Sequence, residues 1–197
     1  MRIDPEKVKN HRSSFPAMYF ASFYLLILLP EMMPVKTKFH MQTNETYLDE
    51  AFEEAFHSMR NNVGGPFGAV VVLNGKVIGK GGNRVSSEND PTAHAEIVAI
   101  RDACRNIENF DLTGAVLYAT CEPCPMCLSA IYWANIKSVY YCSTRHDADS
   151  IGFKDNDIYE ELNLLPENRK IAFRHITHPL AAGLFREWTE KNDKIPY

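Results

Sequence analysis

The chain has little to offer a polyanion. Its 197 residues include 21 Lys and Arg against 25 Asp and Glu, a formal net charge of −4. Residues 1–40 hold six of those cations and three of the anions, which leaves the remainder at 15 against 22, a balance of −7. A body this acidic carries no broad footprint for a phosphate backbone, so no nucleic acid partner is expected. The glycines at 79, 81 and 82 form no GxGxxG ahead of a helix, which excludes a dinucleotide cradle. No internal repeat and no linker interrupts residues 41–197, so they read as one domain. Long apolar runs are equally scarce. The one candidate, residues 15–29, is shorter than the about 20 residues that a spanning helix needs. It ends at Pro30-Glu31 without a small-x-small cleavage pattern. Residues 1–40 therefore read as an N-terminal extension outside the fold, with membrane contact by 15–29 the lesser reading. Disulfide pairing is also poorly supported. The five cysteines are odd in number and clustered, where a secreted framework shows an even, dispersed set. A thiol pair binding metal in a reducing compartment fits better, and a cytoplasmic location is expected.

What is present is a regular alternation of elements. Apolar residues at Leu48, Phe52, Ala55, Phe56 and Met59 recur every three to four positions, which predicts a helix over 43–61, capped by Thr43 or Asn44. Residues 67–73 and 76–80 read as a hairpin about Asn74-Gly75, and the Val70-Val71-Val72 run suggests a strand buried on both faces. A polar loop is expected over 83–90. Asp90-Pro91 predicts the start of a helix running to about Arg105. Further strands are expected at 115–120, 138–142 and 171–176, and further helices at 125–134, 157–164 and 178–192. The sum is an α/β domain in three layers, α/β/α, with a mixed central sheet of about five strands.

The chemistry concentrates in Thr120-Cys121-Glu122-Pro123-Cys124-Pro125-Met126-Cys127. The spacing of Cys124 and Cys127, with prolines at 123 and 125, puts two sulfurs on one side of a first helical turn, as a tetrahedral zinc requires. A helix N-terminus lowers a thiol's pKa and favours the thiolate. His94 supplies a third ligand if its own strand-to-helix junction opens on the same sheet edge. Three protein ligands leave a fourth position for water, whose pKa zinc lowers to about 7. Glu96, two residues past His94, is free to carry protons. Taken singly, His94 reads as a cap or core histidine and Glu96 as a solvated helix-start carboxylate, while Cys104 and Cys142 read as small core residues. A closed structural zinc site would need a fourth ligand. Cys121 is the nearest candidate, but it ends a strand and is left out of the metal set.

In order, these residues match H-x-E…P-C-x-x-C, the signature of zinc-dependent deaminases. The chain resembles the cytidine deaminase superfamily and within it most the small bacterial guanine deaminases. The resemblance covers 41–197 and rests on Gly65-Pro66-Phe67-Gly68-Ala69-Val70-Val71, on Asn89 to Glu96, on Cys121 to Ala134, and on His146-Asp147-Ala148-Asp149-Ser150-Ile151-Gly152-Phe153. It implies hydrolysis of guanine to xanthine and ammonia, with zinc as cofactor held by His94, Cys124 and Cys127 and with Glu96 as proton shuttle. It further implies a purine base held by Asn83, Ala95, Asp147 and Tyr197, with Asp147 as a second proton carrier. Phe67 would line the pocket, with a place in the core an equal reading. A homodimer with exchanged C-terminal segments (Leu180 to Tyr197) follows from the same resemblance. Three other readings stay open. One is a tRNA adenosine deaminase, with Arg84 after Asn83 in its favour and the acidic body against it. Another is a deaminase of a different base or nucleoside, such as guanosine or cytosine. The last is a non-catalytic zinc-stabilised binding module in which Glu96 is idle.

Overall fold

A computed structural model describes residues 43–196. The expectations placed on residues 1–40 and on Tyr197 lie outside the described residues. Thr43 opens the first helix, α1 (Asn44–Arg60), its hydroxyl accepting from the Thr46 N–H. Strands β1 (Gly68–Leu73) and β2 (Lys76–Gly82) form an antiparallel hairpin. Asn74 and Gly75 both take positive φ at its turn, the geometry that Asn-Gly suits. A short α2 (Val85–Glu88) lies inside the stretch expected to be loop. Next come α3 (Ala95–Ile107), β3 (Val116–Cys121), α4 (Pro125–Trp133) and β4 (Ser138–Ser143). After β4 follow α5 (Arg145–Ser150), α6 (Asp155–Leu162) and α7 (Ala181–Glu190).

The sheet order is β2-β1-β3-β4, with β1 antiparallel to β2 and β3, and β3 parallel to β4. Strand β1 is buried on both faces because helices cover both. Val70 and Val72 pack with Tyr47, Ala51 and Tyr118 on the α1 side, while Ala69 and Val71 pack with Ala95, Ala99 and Ile131 on the α3 and α4 side. The three-layer arrangement with a mixed sheet holds, but the sheet described has four strands rather than five. The apolar residues of 171–176 are exposed, and none of 171–176 joins the sheet, so no partner strand in this chain's own sheet orders them.

Three further expectations change. Helix α3 begins at Ala95, not Pro91, because Asp90 accepts from the Thr92 N–H and hydroxyl, both at 2.7 Å, and closes a local turn instead of capping a helix. Residues expected to be loop form α5, opened by a capping box in which Thr144 and Asp147 bond reciprocally. Cys142 lies exposed on β4 rather than in a core, whereas Cys104 packs partly against it.

The approach of α3 to β2 positions the site. A Cβ on Gly81 would stand 2.5 Å from the Ala95 carbonyl oxygen and 2.6 Å from the Ala99 nitrogen. Both neighbours are helix backbone and cannot yield alone. Gly81→Ala should therefore push out the start of α3 and destabilise the domain by about 3 kcal/mol, the upper part of the range for overpacking. Thermal melting checks this: a fall of about 10 °C is expected for a domain of this size, and an unchanged midpoint would contradict it.

Candidate active site and metal centre

Two helix N-termini meet at the edge of the sheet where β2 and β3 end and β1 begins. His94 is the N-cap of α3 and Cys124 the N-cap of α4, both with extended backbone that ends at the first helical residue. Cys127 follows in the first turn of α4 and is fully buried. One ligand atom from each of the three lies within 4.8 Å of the others. Cys124 Sγ and His94 Nδ1 are 3.6 Å apart. Two ligands on one tetrahedral zinc, with a Zn–S bond of about 2.3 Å and a Zn–N bond of about 2.0 Å, stand roughly 3.6 Å apart. The donor set therefore fits zinc in both chemistry and spacing.

The thiols are unequal. A hydrogen bond from Cys127, reinforced by His94, holds the Cys124 thiol down to about 4. The same bond to Cys124 and then burial push Cys127 far up. His94 is raised, first through its bond to Cys124. The metal-free trio thus carries a thiolate beside protonated neighbours, ready to exchange protons for a cation.

Around this centre is a cavity of about 470 Å³ that His94, Glu96 and Cys124 line from one side. Glu96 sits in the first turn of α3, 7% exposed, and burial pushes its carboxyl up to about 7. Asn83 also lines the cavity, buried, and its Oδ1 accepts from the N–H groups of Gly65 (3.1 Å) and Val85 (3.2 Å). With the oxygen so held, the amide NH2 is left as the donor toward the cavity. Phe67 lines the wall, with Phe153 edge-on at 4.7 Å between ring centroids.

The other expected residues are placed differently. Ala95 is the first residue of α3 and buries its side chain in the core, not in the cavity. Its N–H is among those for which a helix provides no internal acceptor. Asp147 is exposed and does not line the cavity. Its Oδ2 accepts from the Thr144 N–H and hydroxyl, both at 2.7 Å, so the carboxylate caps its own helix. An aspartate that does line the cavity is Asp155, at the first residue of α6, half-buried and raised by that burial and by the neighbouring Cys124. Glu122 and Phe153 also line it. The signal for Asp155 lay two residues beyond Phe153, where Asp155-Asn156-Asp157 opens a helix.

Among known proteins, residues 41–143 match the zinc-binding region of cytidine and deoxycytidylate deaminases. The chain is 44% identical over 154 residues to guanine deaminase of Bacillus subtilis, covering 78% of this chain and 99% of that protein. It superposes on the X-ray structure of guanine deaminase from that organism with a TM-score of 0.77 at 43% identity, covering 79% of this chain and 99% of the other. A tRNA-specific adenosine deaminase of Agrobacterium fabrum is 54% identical, but over 76 residues, 39% of this chain and 50% of that protein.

Proposed function

The chain belongs to the zinc-binding cytidine and deoxycytidylate deaminase family, and on that premise we propose that it hydrolyses guanine to xanthine and ammonia. The observation that carries the substrate is the extent of the likeness. The match to the guanine deaminase runs almost the whole length of that protein at 44% identity, whereas tRNA-specific adenosine deaminases that match over most of their length do so at 33% and 35% identity.

His94, Cys124 and Cys127 would hold zinc, which supplies Lewis-acid activation of water when bound. The remaining work falls to the chain's own groups. Glu96, with its carboxyl near neutrality, accepts a proton as readily as it donates one, which suits a shuttle that takes the proton from water and delivers it to the departing amine nitrogen. The Asn83 amide donates to an acceptor on the rim of the base. Asp155 accepts from the base's N–H groups or holds the second proton, the role first expected of Asp147. Phe67 and Phe153 form an apolar wall for a planar ring.

The C-terminal segment serves a second copy of the chain. Strand β4 is a sheet edge carrying exposed Tyr140 and Tyr141. Residues 171–176 have an apolar strand pattern without a strand to join, and α7 leaves Leu180, Leu184, Phe185 and Trp188 exposed. Strand addition to the partner's β4 would complete the sheet, and Tyr197 would then reach the partner's cavity. Sedimentation at the mass of a single chain would rule this exchange out.

The test of substrate is ammonia release by the full-length, zinc-loaded chain from guanine, guanosine, adenine, cytosine and a tRNA anticodon stem-loop. Release from guanine is expected. Release from the stem-loop alone would replace guanine with tRNA adenosine.

A further inference from the structure

Strands β3 and β4 end side by side, Cys121 opposite Ser143. From β3 the chain turns into the metal-binding residues. From β4 it turns into the α5–α6 segment that delivers Phe153 and Asp155 to the cavity. Besides the Glu122 N–H bond to the Ser143 carbonyl and the Cys121 thiol contact with the Thr144 carbonyl, three contacts cross between these two exits. The Tyr159 hydroxyl donates to the Pro123 carbonyl at 2.8 Å. The Arg145 N–H donates to Glu122 Oε2 at 3.1 Å. The Arg145 guanidinium lies 3.9 Å from Glu122 Oε1 and 4.8 Å above the centre of the Tyr159 ring.

We propose that Tyr159, backed by Arg145 and Glu122, is a positioning residue that aims Asp155 at the metal centre. The inference rests on the role given above to Asp155. Tyr159 and Asp155 are four apart on α6 and so share one face of the helix. Pro123, which accepts from Tyr159, directly precedes the metal-site residue Cys124. One hydrogen bond therefore fixes how α6 is rotated against the cysteine loop, and the same rotation sets where the Asp155 carboxylate stands. The Glu122–Arg145 ion pair is long and partly solvated, so its electrostatic contribution is small. Its use is geometric: it holds the guanidinium over the Tyr159 ring and keeps that ring from swinging out. None of these bonds uses a side chain of His94, Cys124, Cys127 or Glu96, so removing the Tyr159 hydroxyl leaves every metal ligand and the shuttle with its own donor atoms.

Tyr159→Phe keeps the ring and its stacking and removes only the hydroxyl. It should retain zinc and its melting midpoint yet lower kcat/KM about tenfold, the size of one hydrogen bond's hold on a reacting geometry. The discriminating measurement is the pair with Asp155→Asn. In that background Tyr159→Phe should cost less than about twofold, because there is no carboxylate left to aim. Equal losses in both backgrounds, or no loss in the single variant, would overturn the proposal. The assay uses whichever base the wild-type chain deaminates, so silence on guanine with turnover of another base sinks the substrate and leaves this test intact. Amide hydrogen exchange gives a readout without turnover. Exchange over 155–162 in the zinc-loaded chain should quicken in Tyr159→Phe, and unchanged protection there would count against the latch.

Discussion

Glu96→Gln lowers kcat by about 10²–10⁴-fold, the span that general acid–base catalysis contributes, while zinc content and fold remain. The amide is the same size as the carboxyl and sits at the same first turn of α3, so packing around it is unchanged. What is lost is the only buried carboxylate beside the metal ligands among the described residues. Stability should move the other way. The folded carboxyl is pushed up to about 7 from an ordinary 4.5, mainly by burial. Between those values the metal-free folded chain binds more protons than the unfolded one. The stabilising contribution of that proton is full below 4.5 and is lost as the pH rises through 7. The difference is of the order of 3 kcal/mol for a shift of this size. A neutral Gln is free of it. The metal-free variant should therefore melt higher than the metal-free wild type above pH 7 and show a flatter pH dependence from 4.5 to 7. Turnover within a factor of two of wild type would end the case for Glu96 as the shuttle, and with it the proton pathway proposed here.

The metal-site residues were legible because their spacing is local. Pro123-Cys124-Pro125 encodes a helix start, a first turn places Cys127 beside Cys124, and His94 with Glu96 repeats the device on a second helix. Local rules also read the hairpin at Asn74-Gly75 and the doubly buried β1. They misled where a short polar side chain had two local partners to choose between. Asp90 looked like a helix cap and instead closes a turn on Thr92, which moves the helix start to His94 and so makes the histidine itself the N-cap. Asp147 carried the right chemistry for a substrate contact, yet Thr144, three residues earlier, claims its carboxylate. Asp155 was missed for the converse reason. Its local signal, the helix start at Asp155-Asn156-Asp157, says nothing of a cavity, and the contact of α6 with the Pro123 loop through Tyr159 spans 36 residues, beyond the reach of local rules. The fifth strand shows a further limit. A strand pattern states that a segment can pair, not which chain provides the edge, and residues 171–176 find none in their own sheet.

Cys127→Ala should abolish both zinc retention and turnover, leaving ammonia release at the level of buffer. Cys127 is the deepest of the three ligands, and Ala adds no donor and leaves His94 and Cys124 as a two-ligand remnant. Two ligands and open solvent hold zinc far more weakly than three. The fold should survive with a loss of stability, because the sheet and its two cores are built without the metal site. Metal analysis after gel filtration, beside circular dichroism, separates the two effects: a folded, zinc-free, inactive chain is expected. A folded variant that keeps about one zinc would mean that the metal sits elsewhere. The wild-type chain should also show how Cys127 takes up its metal. Its thiol is raised far above neutrality in the metal-free state by the bond to Cys124, and His94 is raised as well. Zinc must displace those protons, so the affinity should rise with pH and fall on acidification. Calorimetry of zinc uptake in two buffers of different ionisation enthalpy should show proton release at neutral pH, with less release at higher pH once His94 has lost its proton beforehand. Uptake with no proton released would show that Cys127 enters the site already ionised, contrary to the pairing of the two thiols seen here.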